Sequence, residues 1–323
     1  MSENARKSKK ARNKMNKDYY GYIFTAPFII VFLIFSLYPL IYTFYLSVTD
    51  TTLMSRTHEL VGLANYKRLF EDTYFLTAFK NTWKIWILNF IPQIGIALLL
   101  SVWFTSTRLR LKAVGFWRAI FYLPNLLMPV TVSVMFATFF SFYGPVNQFL
   151  VRSEITSQAF DFFRSTGWTQ GLVIFIQWWM WFGSTIIVLM AGMTSISTSY
   201  YESAMVDGAS AWKMFTKITV PLLKPVLVYT LITSLVGGMQ MFDIPYMITD
   251  GRGAPNSSVM TMNVLMYMKF SSSKGHIGAA ASVGVMIFFV TCIAALFVFF
   301  ILRDKDDFGT SEKSRKKSRK VGI

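Results

Sequence analysis

The sequence predicts an all-α membrane protein with six transmembrane helices. The first observation is composition: 54% of the 323 residues are hydrophobic and 15% are charged, which is too apolar for a soluble domain of this length. The second is a series of long uncharged runs, each about as long as a helix that crosses a bilayer. The third is the placement of the 32 lysines and arginines, which cluster in both tails and in certain loops. This clustering favours membrane topology over nucleic-acid binding as the reason for the excess of basic over acidic residues.

The first part of the chain is predicted as a basic tail, an anchor and a loop. Residues 1–21 form the tail. Residues 22–48 form a transmembrane anchor, which is longer than a signal-peptide core and which Pro27 and Pro39 kink or end. Residues 49–81 form an extracytoplasmic loop that contains a short interfacial helix.

The second part is predicted as a core of five spans, residues 82–302, followed by another basic tail at 303–323. A loop at 194–221 lies inside this core. The five spans are expected at about 82–104, 119–142, 171–193, 222–241 and 277–302, with polar outer loops at 146–168 and 256–275.

The positive-inside rule supports this layout. Six spans put both tails on one side of the membrane. With the tails in the cytoplasm, cytoplasmic segments hold 22 basic residues and outer segments hold 8. The loop at 194–221 is then cytoplasmic. We therefore expect a multi-pass membrane protein with both termini in the cytoplasm, whose tails are free to bind anionic membrane lipid.

The loop at 194–221 predicts two short helices that are broken at Asp207-Gly208, because glycine tolerates the positive φ of a helix C-cap. Ser210 is placed to cap a second helix that starts at Ala211, and Pro221 is expected to stop that helix.

Helical spacing puts Trp212, Phe215 and Thr219 on one face of the second helix and Lys213 with Lys217 on another. Such a hairpin suits docking into a groove on a soluble partner. The residues alone leave open that it is an ordinary loop that packs on its own bundle.

This loop resembles the "EAA" signature of permease subunits of bacterial ABC importers. The pattern here reads Glu202-Ser203-Ala204, then Asp207-Gly208-Ala209, then Ile218-Thr219-Val220-Pro221. Ser203 and Val220 depart from the family's alanine and leucine. The resemblance implies a type I importer permease (MetI-like) core with cytoplasmic coupling helices, in the bacterial inner membrane. The residues to which it assigns ATPase coupling are Glu202, Ala204, Asp207, Gly208, Ala209, Trp212, Phe215 and Pro221.

Glu202 is the first choice for a functional residue in this loop. An acid at a membrane surface rich in lysine and arginine can pair with a basic residue of a partner in a desolvated contact. The alternative is a helix-surface glutamate that pairs with Lys213 or Lys217 of its own chain.

Further segments resemble carbohydrate importers of the maltose-permease type. These are Val61–Tyr66, Phe121–Pro124, Tyr143–Asn147, and Asp243 followed by Gly251–Pro255. The resemblance implies transport of a sugar or oligosaccharide by alternating access. It also implies four kinds of partner: a second homologous permease subunit, an ATP-binding-cassette ATPase dimer that binds ATP and magnesium, an extracellular solute-binding lipoprotein, and membrane lipid.

The sequence contains no phosphate-binding loop of the form G-x-x-x-x-G-K-[ST], so ATP hydrolysis is expected in another subunit. The two histidines, His58 and His276, lack metal-ligand spacing, and Cys292 is the single cysteine. We therefore predict that the chain is not an enzyme, and that it binds no cofactor, metal or nucleic acid.

Polar and aromatic residues inside the predicted spans are the candidates for a substrate pathway, because a polar side chain in lipid usually faces the bundle or a cavity. Interhelical hydrogen bonding by amides and interfacial anchoring by tryptophans are the alternatives. The candidates are Asn89, Gln93, Asn125, Gln177, Trp178, Trp181, Gln240, Phe242, Asp243 and Tyr246.

Three other function classes fit the sequence less well. An ion-coupled secondary transporter needs ionisable residues within its spans, and only Asp243 lies near one. A channel needs a filter or a charged ring, which the sequence does not suggest. A membrane scaffold leaves the EAA-like signature without a purpose. ATP-dependent uptake distinguishes an importer from the secondary transporter.

Overall fold

The structure is a computed structural model that describes residues 19–55, 58–106, 109 and 111–302. Across these residues the regular elements are helices, and β-structure is limited to isolated bridges. Five helices are long and apolar enough to cross a membrane, or six if one bent pair counts as a single span. The all-α membrane class is therefore confirmed. The basic residues at 1–18 and 303–323 lie outside the described residues.

The described chain divides into two compact units, the first comprising residues up to Leu69 together with Lys269–Val285. Its first helix, α1 (Tyr19–Ser47), is continuous through Pro27. A π turn at Leu33–Leu37 directly precedes Pro39. The π turn makes the hydrogen-bond ladder irregular just before Pro39, so the amide that the proline lacks falls where the regular i→i+4 pattern is already interrupted. Both prolines are therefore inside the span.

The short helix predicted in the loop at 49–81 is present as α2 (Ala64–Glu71). Asn65 in this helix donates from its side-chain nitrogen to the carbonyl oxygens of Ser47 (2.9 Å) and Thr49 (2.8 Å). The Tyr66 hydroxyl donates to the Ser47 hydroxyl at 2.7 Å. These bonds satisfy backbone carbonyls that the end of α1 leaves open, and so they fix the chain where α1 ends.

The second unit comprises Phe70–Met268 and the residues from Met286 onward. Its two longest helices, α3 (Thr73–Thr105) and α7 (Thr166–Thr194), pack against each other more extensively than any other pair in the described chain. Both are longer than the predicted spans. Asp72 is the N-cap that starts α3 at Thr73, since its carboxylate accepts from the Tyr74 amide at 2.9 Å.

The third predicted span corresponds to a bent pair of helices and not to one continuous helix. The chain forms α4 (Val114–Tyr122), a 3-10 turn (Leu123–Leu126) and α5 (Pro129–Phe139), with a bend of 90° between the two halves. Leu127 and Met128 are extended, with ψ values of 148° and 130°. Met128 precedes a proline, which disfavours helical dihedrals at that position.

Both predicted polar loops contain helices, contrary to the prediction. In the first loop, α6 (Pro145–Arg152) precedes a 3-10 turn at Phe162–Arg164. In the second, α12 (Met262–Phe270) buries Met262 and Val264. The apolar residues of α12 supply a face that can be buried, so the segment folds as a helix despite its short length.

The chain between these regions runs from α8 (Thr198–Val206) through α9 (Ala211–Met214) and a π turn (Phe215–Thr219) into α10 (Val220–Met239). A break then precedes α11 (Asp243–Ile248), and the last helix is α13 (Ile277–Leu302). Pro221 does not stop a helix, contrary to the prediction. It is near the start of α10, where the π turn has already replaced the regular hydrogen bonding.

Candidate functional site

Two candidate sites lie in the second unit, and one helical segment carries parts of both. Residues Ala211–Ile248 form a single candidate span. Its start belongs to a polar hairpin, which we define as residues 198–214. Its far end lines a cavity between helices, which we call the span cavity.

The polar hairpin turns through a Schellman motif. The Gly208 amide donates to the Met205 carbonyl (3.1 Å) and the Ala209 amide donates to the Ala204 carbonyl (2.9 Å). Gly208 has φ +70°, in the left-handed region, and a Cβ added there would meet no atom within 4 Å. The predicted glycine C-cap is thus present. The backbone conformation favours glycine at this position, whereas the surrounding space would admit a Cβ. Asp207 lies exposed at the turn.

The second helix of the hairpin begins as predicted. The Ser210 hydroxyl accepts from the Lys213 amide at 3.3 Å, which makes Ser210 the N-cap of α9. Trp212 is 72% exposed, and its ring centroid lies 5.8 Å from that of Phe215. Val206, before the turn, is 88% exposed. The tip of the hairpin therefore presents two large apolar side chains, one on each side of the turn.

The base of the hairpin encloses a second cavity of about 510 Å³, the hairpin cavity. Glu202 and Phe215 line this cavity, and Glu202 is an exposed residue. Within the described chain Glu202 makes no ion pair, either with Lys213 or with Lys217. The remaining lining residues come from the ends of α3 and α7 and from both hairpin helices: Val102, Thr105, Ser106, Met193, Thr194, Ile196, Thr198, Tyr201, Met205, Ala211, Met214 and Thr219.

The span cavity has a volume of about 420 Å³, within the usual size range of small-molecule sites. Helices α3, α5, α7, α10 and α11 line it together with the break between α10 and α11. Seven of the predicted candidates are among the lining residues: Asn89, Gln93, Gln177, Trp181, Gln240, Phe242 and Asp243.

Three predicted candidates do not line the span cavity. Asn125 follows α4 and donates to the Met180 carbonyl at 3.4 Å. Trp178 stacks on Phe182 with ring centroids 5.1 Å apart. Tyr246 packs in a ring cluster with Phe242 (4.9 Å) and Tyr267 (5.1 Å).

Part of the cavity wall is fixed by hydrogen bonds. The Gln93 side chain donates to the Thr185 hydroxyl at 2.8 Å, which joins α3 to α7. The Trp86 indole nitrogen donates to the Ser234 hydroxyl at 3.2 Å, which joins α3 to α10. Gly238 packs so closely on Trp86 that an added Cβ would overlap the indole ring. Gln93 is thus both a lining residue and an interhelical contact, and Gly238 allows close packing of α10 on α3.

Sequence reasoning missed a stripe of small and hydroxyl-bearing residues on α10. Its members recur at helical spacing, which is the signal that could have found them. Trp86, Ser184 and Thr185 were also missed. The stripe consists of Tyr229, Thr230, Thr233, Ser234, Gly237 and Gly238.

No cluster of metal-ligating side chains occurs in the described ranges. His58 instead contacts the Thr51 hydroxyl through its Nδ1 at 2.8 Å.

Comparisons with known proteins give a consistent result. The profile of the family described as "Binding-protein-dependent transport system inner membrane component" matches residues 82–305. The chain is 31% identical to the lactose transport system permease protein LacF of Rhizobium radiobacter over 90% of this chain and 97% of the relative. It is 29% identical to the arabinooligosaccharides transport system permease protein AraP of Bacillus subtilis (strain 168), over 85% of this chain and 86% of that protein.

Solved structures share the fold. A chain of a bacterial alginate ABC transporter, crystallised in complex with an alginate pentasaccharide-bound periplasmic protein, superposes with a TM-score of 0.75 at 24% identity. The match covers 90% of this chain and 96% of that one. A second structure, of a bacterial ABC transporter involved in the import of the acidic polysaccharide alginate, gives a TM-score of 0.74 at 24% identity, over 91% of this chain and 98% of that one.

Proposed function

The chain belongs to the family of binding-protein-dependent transport system inner membrane components, and from this premise we propose how it works. It forms half of the translocation pathway of an ATP-driven importer, and its cargo is a sugar or oligosaccharide delivered by an extracellular binding protein. The observation that carries this proposal is the continuous segment Ala211–Ile248, which begins in the polar hairpin and ends at the span cavity. One candidate span therefore links a docking element to a cargo site.

The chemistry of the span cavity suits a saccharide. Trp181 and Phe242 offer aromatic faces on which the C–H face of a sugar ring can stack. Gln177 and Gln240 offer amides, and hydroxyl groups of α10 add donors and acceptors. The relatives named above include permeases for lactose and for arabinooligosaccharides, which supports the same cargo class.

The polar hairpin is the docking element for a separate ATPase. Val206 and Trp212 supply an exposed apolar tip, and Glu202 supplies a carboxylate with no ion pair in the described part of the chain. An apolar tip with a nearby acid fits a groove that presents a basic residue. When ATP binding closes the ATPase dimer, the hairpin moves with it, and helix α10, which follows the hairpin, carries that motion to the cavity.

This chain forms part of the transport pathway for the cargo, and a partner subunit hydrolyses ATP. ATP and magnesium bind to the ATPase dimer, and a second, homologous permease subunit supplies the other half of the pathway. Both termini of this chain lie in the cytoplasm, on the side of the polar hairpin and of ATP, consistent with the distribution of basic residues.

The test is ATP-dependent uptake by proteoliposomes that contain the complete importer with its binding protein. Glu202→Lys should reduce co-purification of the ATPase and uptake of the cargo, because it places a cation opposite a basic groove. Glu71→Lys, at an exposed acid on the last residue of α2, is the matched control and should behave as the parent chain. Uptake that needs an ion gradient but no ATP would overturn the proposal in favour of a secondary transporter.

A further inference from the structure

The span cavity contains a feature that bears on which saccharides the importer accepts. Resting on the proposed function, we propose that Asp243 makes this cavity selective for uncharged saccharides and excludes anionic ones such as uronates.

Asp243 lies where the spanning segment is interrupted. Helix α10 ends at Met239 and α11 begins at Asp243, so the three residues between them leave the helical path. Phe242 has φ −135° and ψ −58°, outside the helical region. Gln240, Phe242 and Asp243 all line the cavity. The break therefore places polar and aromatic side chains that are close in sequence around the span cavity, as broken helices do in other transporters.

Among its described lining residues, the span cavity has a negatively charged side chain and no positively charged one. Among the described residues that line the span cavity, Asp243 is the one acidic side chain, and lysine, arginine and histidine are not represented. The other polar groups are amides, hydroxyls and two indole N–H groups, which are neutral. The lining thus contains nothing that would balance a second negative charge brought by the cargo.

Asp243 is also accessible to a cargo. Its side chain is exposed, and no ion pair involves it within the part of the chain that the structure describes. A carboxylate can accept hydrogen bonds from two neighbouring sugar hydroxyls at once, which stabilises a neutral sugar.

A uronate in the same position would bring a second carboxylate near the first. Interactions between charges are stronger in a partly dehydrated cavity than in bulk water, and here the interaction is repulsive. A penalty of about tenfold in affinity corresponds to a modest like-charge interaction of this kind.

The fold does not decide this property. A transporter of the same fold is involved in the import of the acidic polysaccharide alginate. The charge preference must therefore come from individual lining residues, and Asp243 is the lining residue that carries charge in this chain.

A structural role for Asp243 is separable from the proposed one. It lies in the first turn of α11, where a negative charge is favourable to a helix. Asparagine is also well tolerated at a helix start, so Asp243→Asn removes the charge while it retains a compatible side chain. Asp250→Asn is the matched control: Asp250 is exposed, does not line the cavity, and has φ +49°, which asparagine adopts readily.

The experiment measures saccharide binding by the purified importer complex without its binding protein, so that only the permease cavity selects. The probes are two pairs that differ in charge: lactose with lactobionate, and α-1,4-galactobiose with digalacturonate. Ionic strength is matched with sodium chloride. Apparent dissociation constants come from the ligand-dependent shift in thermal unfolding.

We expect the parent complex to bind the neutral member of a pair at least about tenfold more tightly than the anionic member. Asp243→Asn should lower this ratio about tenfold, because it relieves the repulsion of the anionic member and weakens the hydrogen bonds to the neutral member, whereas Asp250→Asn should leave the ratio unchanged. Equal affinities in the parent, or an unchanged ratio in Asp243→Asn, would overturn the charge selectivity alone. If neither neutral sugar binds and the complete importer takes up no saccharide, the proposed cargo class fails, and the selectivity fails with it.

Discussion

The hydroxyl oxygen of Tyr201 lies 3.0 Å from that of Thr219. This contact joins α8, the first helix of the polar hairpin, to the π turn from which α10 begins. Thr219 is buried, and Tyr201 is partly buried. The first helix of the hairpin is thus tied to the π turn at the start of α10, so that a force on α8 also acts on α10.

Removing this tie should weaken coupling without preventing assembly. Tyr201→Phe deletes one partner of the hydrogen bond, a loss of about 1 kcal/mol. We expect cargo-stimulated ATP hydrolysis and uptake to fall severalfold while the ATPase still co-purifies. The control is Tyr200→Phe, which changes the exposed neighbouring residue. Equal effects from the two variants would contradict a role for the Tyr201–Thr219 contact.

Gly208 should tolerate asparagine better than alanine. Its φ of +70° penalises a Cβ by about 1–2 kcal/mol. No atom lies within 4 Å of that Cβ, so the penalty should come from the backbone alone. Gly208→Ala is expected to reduce co-purification of the ATPase, and Gly208→Asn should reduce it less. Gly95→Ala, at another glycine with open space around it, should have no effect.

The adjacent glycines Gly237 and Gly238 should respond very differently to alanine. A Cβ at Gly238 would overlap the Trp86 ring, whereas a Cβ at Gly237 would meet nothing within 4 Å. Gly238→Ala should destabilise the protein by about 1–3 kcal/mol through overpacking and should lower uptake. Gly237→Ala should leave the thermal stability near the parental value. Thermal unfolding in detergent and uptake in proteoliposomes measure both effects, and similar behaviour of the two variants would contradict the close contact.

Asn147 should be essential to the fold of the segment after α5. Its side chain, 2% exposed, donates to the carbonyls of Ser141 (3.1 Å) and Phe160 (2.9 Å) and accepts from the Phe160 amide (2.9 Å). Asn147→Ala leaves these backbone groups without a partner, at a cost of about 1–3 kcal/mol for each group that stays buried. We expect faster amide hydrogen exchange at Phe160.

The neighbouring residue provides the control for that prediction. Gln148 is exposed and makes one side-chain hydrogen bond, to the Tyr143 carbonyl at 3.0 Å. Gln148→Ala should leave exchange at Phe160 unchanged. Unaltered exchange in Asn147→Ala would show that the segment does not depend on this side chain.

The class of the protein and the local geometry of the polar hairpin were predictable from the order of the residues. Span length and apolar composition are properties of consecutive residues, so the membrane helices were predictable. The glycine C-cap at Gly208 and the Ser210 cap were predictable too, since their hydrogen bonds join residues three to five positions apart. The EAA-like pattern could be read for the same reason.

Prediction of helix ends from local patterns failed where two local rules conflict. Pro221 was expected to end a helix, yet the π turn at Phe215–Thr219 removes the need for its missing amide. The opposite occurred in the third span, where apolar composition suggested one helix and the residues before Pro129 adopted extended backbone.

Which polar side chains share the span cavity depends on how the helices pack in three dimensions. Gln177 and Trp178 are neighbours in the same helix, yet Gln177 lines the cavity and Trp178 stacks on Phe182. Which side of a helix faces a cavity depends on the rotation of that helix against α3 and α10. That rotation is set by contacts such as the one between Gly238 and Trp86, which lie far apart along the chain. No pattern of neighbouring residues encodes such a contact, and so the cavity appeared only once the helices were packed.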